Sequence, residues 1–209
     1  MIRSDTDSFS FFLKLEETHA VKKILATLML LGVAAFALMM VNIGKGDARG
    51  DDDFERRARI GLRIAPLPLN LEGRDAELVG YGSYLVNAMV DCDACHSIQE
   101  YANGGDPFLG QPKRIDATTY LRGGLRLPSD DGQLVISRNI RPELPSGLPA
   151  SLTFAQFSAV FRHGTDFDNP GQLLQVMPWP AFQNLTDDDI RAIYEYLTAL
   201  PPATALGGG

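Results

Sequence analysis

The chain has 209 residues, enough for one domain of ordinary size with appendages, or for two small ones. Removing the 6 basic and 5 acidic residues that precede Asp51 from the totals of 19 and 26 leaves 13 basic and 21 acidic residues, a net charge of −8. This balance argues against binding to nucleic acid, which requires a basic face, and it favours a protein partner with a basic docking patch.

An uncharged, apolar run extends from Ile24 to Ile43. A helix of this length matches the hydrocarbon thickness of a bilayer, about 30 Å. Because Lys22 and Lys23 precede the run, we expect residues 1–23 to be a short cytoplasmic tail and residues 24–43 to be a transmembrane anchor or an uncleaved signal. A cleaved secretory signal is the alternative. The predicted location is the inner membrane, with a single-pass chain whose following domain faces the periplasm.

Charges of both signs and few large apolar residues follow the apolar run. This composition predicts a solvated stalk over residues 44–73, extended where Pro66 and Pro68 disfavour helix in the residues before them. A single domain is then predicted over residues 74–203, followed by a flexible tail at residues 204–209.

Apolar residues recur at helical spacing from Asp75 to Val90, so the domain is predicted to begin with a helix. Gly80 and Gly82 lie inside this helix at some cost in stability. Close packing of another helix would compensate for that cost, and we expect the partner to come from the C-terminus.

The pentapeptide Cys92-Asp93-Ala94-Cys95-His96 follows the first helix and has the pattern C-x-x-C-H, which is typical of covalent heme c attachment. Two thiols three residues apart reach the two vinyl groups of the porphyrin and form thioether bonds. The imidazole of His96 is then placed beneath the iron as the proximal ligand.

The two cysteines have three alternative interpretations. A structural disulfide is chemically permissible in an exported protein. A thioredoxin-like redox pair requires a strand followed by a helix, whereas the segment before Cys92 is predicted to be helical. A zinc ribbon requires a second pair of ligands, and the sequence contains two cysteines in all. Heme attachment is therefore the favoured interpretation.

The remainder of the domain combines a long loop with two more helices. Residues 97–151 are rich in Gly and Pro and hold one strand-like run, Gln133–Ser137. Loops of this length usually serve a function, and wrapping a cofactor would explain this one. One helix is predicted to begin near Thr153 and to stop at Gly164, and another to begin at the N-cap residue Thr186 and to end at Pro201.

Three side chains are candidates for the second axial position on the iron. Met177 lies between prolines in a stiff segment that can present its sulfur reproducibly, although methionine is often only a gap-filler. His163 ends a predicted helix, where it can interact with the last carbonyls. Met89 lies three residues before Cys92 and is expected in the core. Met177 is the predicted ligand.

Several segments together resemble the single-heme class I cytochrome c domains, in particular the modules of the cytochrome subunits of membrane-bound bacterial alcohol and gluconate dehydrogenases. The segments are Gly82-Ser83-Tyr84-Leu85, Cys92–His96, Ser137-Arg138-Asn139-Ile140, Met177-Pro178-Trp179 and the apolar pattern from Asp188 to Leu197. The match covers roughly residues 78–201. Those subunits carry three attachment motifs, and this sequence carries one.

The resemblance implies an all-α fold of about three to five helices around one heme. It implies His96 and Met177 as the axial iron ligands, and a crossing of the first and last helices near Gly82 and Tyr196. It also suggests that the Asn139 segment approaches the heme edge, and that Trp179 contributes to the heme pocket as part of the same short segment as Met177.

An iron with both axial positions filled has no open site for substrate, so the sequence predicts a carrier of single electrons and not an enzyme. Its predicted partners are redox proteins, among them membrane complexes. One alternative is a heme-bearing subunit of a larger membrane dehydrogenase or oxidase complex. Another is a five-coordinate heme enzyme or gas sensor, in which Met177 is only a packing residue.

Overall fold

The computed structural model describes residues 22–34, 36, 50–129 and 132–204. The chain divides into two compact units, Met1–Asp52 and Asp53–Gly209. Helices predominate, and short antiparallel strand pairs lie between them. The predicted helical architecture is therefore confirmed; one short strand, Leu134–Ile136, lies within the predicted strand-like run, and the other short strands are additions.

The helices are α1 (22–34), α2 (50–64), α3 (Ala76–Tyr84), α4 (Asp93–His96), α5 (Phe154–His163), α6 (Trp179–Phe182) and α7 (Asp187–Ala199). A π-helical turn, Leu85–Met89, continues α3, and a 3-10 turn, Pro107–Leu109, lies in the loop after α4. Strands β1 (Arg126–Pro128) and β2 (Leu134–Ile136) pair with Leu127 opposite Val135. Strands β3 (Pro142–Glu143) and β4 (Leu148–Pro149) pair with Pro142 opposite Pro149.

The prediction of a single-pass protein of the inner membrane with a periplasmic domain is wrong. The part of the chain that the structure describes contains no helix long and apolar enough to cross a membrane. Of the predicted anchor, the structure describes residues 24–34 and 36, which are helical. Residues 35 and 37–43 of the predicted anchor, residues 44–49 of the predicted stalk, residues 1–21 of the predicted tail and residues 205–209 lie outside the described residues.

The predicted stalk over residues 44–73 also differs from the structure, because residues 53–64 of α2 pack closely on α3. A Cβ added at Gly61 would lie 1.9 Å from the carbonyl oxygen of Gly80, and one added at Gly80 would lie 2.5 Å from that of Ala58. The hydroxyl of Ser83 donates to the carbonyl of Gly61 at 2.7 Å. Small residues therefore let the two backbones meet, and the compact unit begins near Asp53 and not near residue 74.

The predicted crossing of the first and last helices is confirmed. A Cβ added at Gly82 would lie 1.9 Å from the carbonyl oxygen of Ala192 and 2.8 Å from Cβ of Tyr196, so α3 and α7 are in backbone contact at this point. A buried polar group fastens the crossing: the Tyr196 and Tyr120 hydroxyls lie 2.8 Å apart, and the Tyr120 hydroxyl donates to Oδ1 of Asn87 at 2.6 Å.

Helices α5 and α7 begin where the sequence predicts, each with a capping box. Thr153 and Gln156 exchange side-chain and backbone hydrogen bonds at the start of α5, and Thr186 and Asp189 do so at the start of α7. Gly164 ends α5 in the left-handed conformation, with a φ of 64°. The two helices contribute many of the buried apolar side chains of the core, among them Phe157, Phe161, Ile190, Ile193, Tyr196 and Leu197.

Candidate heme-binding site

The two cysteines of the motif lie on one short helical turn. Cys92 is the N-cap residue of α4, and its backbone N–H donates to the carbonyl of Val86 in the π-helical turn at 3.2 Å. Both thiols are free: that of Cys92 is half-buried and that of Cys95 is exposed. The preceding helix thus sets the position of the thiols, and the structure does not join them in a disulfide.

The thiol of Cys92 has a pKa raised to about 12, chiefly because burial disfavours the thiolate, with the charge of Asp91 next in importance. Catalytic cysteines of redox pairs have the opposite property, a lowered pKa and a stable thiolate. The described residues also contain no group of three or more His, Cys, Asp or Glu side chains that could hold a metal ion. The redox-pair and zinc readings therefore gain no support here.

The imidazole of His96 is held by a backbone carbonyl. Its Nδ1 lies 2.7 Å from the carbonyl oxygen of Arg138, and because that oxygen only accepts, Nδ1 carries the proton and donates. The ring is half-buried, and desolvation lowers its pKa while the Arg138 carbonyl opposes that shift. The ring is therefore held neutral with Nε2 as a lone-pair donor, the state that iron ligation requires.

Gly123, which sequence reasoning missed, brings the Arg138 segment to His96. The backbone N–H of Gly123 donates to the carbonyl of His96 at 2.6 Å, and its φ is 66°. A Cβ added there would lie 2.3 Å from the carbonyl oxygen of Ser137 and 2.5 Å from the nitrogen of Asn139. Because the fit is between backbones, the sequence signal is limited to the adjacent glycines Gly123 and Gly124.

Met177 is half-buried and packs against the apolar core. Two residues later Trp179 opens α6, and its indole N–H donates to the carbonyl of Leu174 at 3.2 Å. The indole also lies flat against Gly164, where an added Cβ would come within 2.3 Å of the ring. Trp179 thus anchors the segment that carries Met177.

The two rival axial candidates lie elsewhere. His163 is the last residue of α5 and is exposed, with Gly164 closing the helix behind it. Met89 is 60% exposed, which differs from its expected place in the core. The π-helical turn explains the difference, because its wider turn interrupts the period by which Met89 was assigned to the apolar face.

Asn139 is buried, and its side chain is fully used within the protein. Its amide nitrogen donates to Oε1 of Glu143 at 2.8 Å and to the carbonyl of Ala203 at 3.0 Å, and its oxygen accepts from the N–H of Arg141 at 3.1 Å. The approach of this segment to His96 is made by the carbonyl of Arg138. A role of Asn139 at the heme edge stays a prediction. In the structure its side chain stabilises the conformation of residues 139–143.

The donor set fits a covalently attached heme. Free thiols three residues apart follow a helical turn, the adjacent imidazole keeps Nε2 available, and a thioether stands in a segment anchored by Trp179. Cys92, Cys95 and His96 are brought together on α4. The structure places Met177 against the apolar core, as it does Cys92.

Comparison with known proteins supports the same reading. The chain is 36% identical over 128 residues, 61% of its length, to the fructose dehydrogenase cytochrome subunit of Gluconobacter japonicus. It is 33% identical over 119 residues to the gluconate 2-dehydrogenase cytochrome c subunit of Pantoea cypripedii, and 32% identical over 140 residues to the cytochrome c subunit of the quinone alcohol dehydrogenase of Gluconobacter oxydans.

These alignments cover 57% and 66% of the chain respectively. The chain spans 22% of the length of the first two relatives and 25% of the third. No protein-family model matches the chain. The predicted resemblance to the cytochrome c modules of such dehydrogenase subunits is confirmed. It applies to about a quarter of the length of those longer proteins.

Proposed function

We propose that the chain carries one covalent heme c in a class I cytochrome c fold and transfers single electrons as the heme-bearing component of a dehydrogenase system. The observation that carries the proposal is the state of His96. Its Nδ1 proton is committed to the Arg138 carbonyl, so that Nε2 is available beside two free thiols. No catalytic residue is assigned to the chain.

Different residues would attach the heme, ligate its iron and orient the His96 ring. Cys92 and Cys95 would hold the heme covalently as thioethers, and His96 and Met177 would ligate its iron. Bound heme supplies an iron that alternates between two oxidation states, and a thioether ligand raises its reduction potential relative to a second histidine. The carbonyl of Arg138 keeps the His96 ring in one tautomer and orientation.

Two observations support a dehydrogenase as the electron donor. The relatives named above are cytochrome subunits of fructose, gluconate and alcohol dehydrogenases. The net charge of −8 from Asp51 onward suits a partner with a basic docking patch. Electrons would then pass from the catalytic subunit of the dehydrogenase to the heme of this chain and on to a further redox protein.

Purification of the tagged full-length chain from its native cells tests this proposal. We expect a dehydrogenase catalytic subunit to copurify, and we expect the substrate of that subunit to reduce the heme. The Cys92→Ala, Cys95→Ala double variant is the control, and it should contain no heme after denaturation and acid-acetone extraction. If acid-acetone extraction of the denatured parent protein released its heme into the organic phase, covalent attachment would be contradicted.

A further inference from the structure

One residue, Arg138, joins the segment behind His96 to the loop that leads to Met177. Its carbonyl accepts from Nδ1 of His96 at 2.7 Å. Its guanidinium Nη1 lies 2.7 Å from Oδ2 of Asp168, with the two side chains 33% and 62% exposed. The main chain and side chain of Arg138 therefore hold two different parts of the site.

The loop that carries Asp168 is ordered by its own hydrogen bonds. Oδ1 of Asp166 accepts from the N–H of Asp168 at 2.9 Å and from that of Asn169 at 3.1 Å. Further along, the N–H of Leu174 donates to the carbonyl of Gly164 at 2.8 Å. These hydrogen bonds hold the turn around Asp168 and join the end of the loop to Gly164 at its start.

The end of this loop is directly connected to the Met177 segment. The carbonyl of Leu174 accepts from the indole N–H of Trp179 at 3.2 Å, and the indole is packed on Gly164. Asp168, Leu174 and Trp179 thus form a continuous path that ends two residues after Met177. The Arg138–Asp168 ion pair lies at the other end of that path.

We propose that the Arg138–Asp168 ion pair is a latch that positions Met177, by fastening the Met177 loop to the segment that orients His96. This inference rests on the proposed axial ligation by Met177. Arg138 and Asp168 are positioning residues, because neither is placed in contact with the iron. Loss of the latch would leave the covalent heme in place and let the sulfur of Met177 leave the iron more often.

Binding of added imidazole to the ferric holoprotein measures how often the sixth position opens. The experiment compares the parent with Arg138→Gln, which keeps the carbonyl to His96, and with Asp168→Asn, at low and at high ionic strength near pH 8. We expect each variant to bind imidazole about twofold to fivefold more tightly than the parent at low salt, the range of an exposed ion pair. High salt should bring the parent close to the variants, because it screens the pair.

Two further variants separate the latch from general loosening of the fold. Glu55→Gln removes an exposed carboxylate that pairs with Arg59 on α2 at 3.2 Å, and it should behave as the parent does. The exchanged pair, Arg138→Asp with Asp168→Arg, should recover the weak imidazole binding of the parent. Variants that match the parent at low salt, or that differ from it equally at every salt concentration, would overturn the latch.

Carbon monoxide binding by the ferrous parent, measured beside the imidazole titration, distinguishes failure of the latch from failure of the proposed function. If the ferrous parent already binds carbon monoxide at neutral pH, Met177 does not occupy the iron, and both proposals fail. If the ferrous parent binds no carbon monoxide, and Arg138→Gln increases imidazole binding but Asp168→Asn does not, the arginine acts without Asp168. The latch then fails, and ligation by Met177 stands.

Discussion

Asp93 lies between the two cysteines of the heme motif and is 3% exposed. The hydroxyl of Ser97 donates to its Oδ1, while its Oδ2 has no hydrogen-bond partner. Burial is the main cause that raises the pKa of this carboxyl to about 6, opposed by the Ser97 hydrogen bond and reinforced by the charges of Glu100 and Asp91. A buried carboxyl is thus part of the structure beside the heme attachment site.

Asp93 should make the stability of the holoprotein fall as the pH rises. The pKa is higher in the folded state than the ordinary value of 3.8, so the folded protein binds the proton more tightly and is most stable below about pH 4 with respect to this group. Stability should decline by up to about 3 kcal/mol between pH 4 and pH 7.

Denaturant unfolding of Asp93→Asn and of the parent at pH 4, 5, 6 and 7 measures this effect. As the pH rises from 4 to 7, the unfolding free energy of the parent should fall relative to that of Asp93→Asn, because asparagine does not titrate. A difference that stays constant from pH 4 to pH 7 would show that Asp93 does not titrate in the folded protein with a raised pKa.

At the scale of elements, the contact between α2 and α3 depends on the absence of a side chain at Gly61. A methyl group there would lie 1.9 Å from the carbonyl oxygen of Gly80 and 2.6 Å from the backbone nitrogen of Tyr84. Both neighbours are backbone atoms of a helix, so they have little freedom to move. The helix pair can form only with glycine, or with local displacement, at this position.

Gly61→Ala should therefore destabilise the protein by about 1 to 3 kcal/mol through overpacking. Thermal or denaturant unfolding of the holoprotein measures the change. In a solvated helix the same substitution would stabilise by up to about 1 kcal/mol, because alanine has the higher helix propensity. The matched control is Gly50→Ala, where an added Cβ meets no atom within 4 Å. A stabilising effect at Gly61 would restore the interpretation of this segment as a stalk.

Helices α3, α5 and α7 could be predicted from the sequence, because helix caps and the spacing of apolar residues depend on side-chain type. The sequence did not predict α2, since the closest contacts with α3 are made by the small residues Ala58 and Gly61, and charges of both signs follow Asp51, a pattern also typical of linkers. The motif identified the cysteines and His96 in the same way. The contacts that hold His96, through the carbonyl of Arg138 and through Gly123, are made by backbone atoms and have no side-chain signature.

For the whole molecule, the acidic charge should influence the rate at which the protein meets the proposed partner. A net charge of −8 from Asp51 onward should attract a basic docking patch over long range. The second-order rate of heme reduction by the copurified dehydrogenase should then fall as ionic strength rises, because salt screens this attraction. Stopped-flow measurements between low salt and about 0.5 M salt test the expectation, and a rate that rises with salt would indicate an acidic partner surface.

Iron ligation by both His96 and Met177, as proposed, would close the ferrous holoprotein to added ligands, and carbon monoxide binding measures whether it is closed. We predict that the parent and His163→Ala bind none at neutral pH. Met177→Ala should bind carbon monoxide while keeping its covalent heme, and its reduction potential should fall because the thioether is gone. Carbon monoxide binding by the parent, or binding by His163→Ala and not by Met177→Ala, would contradict the account.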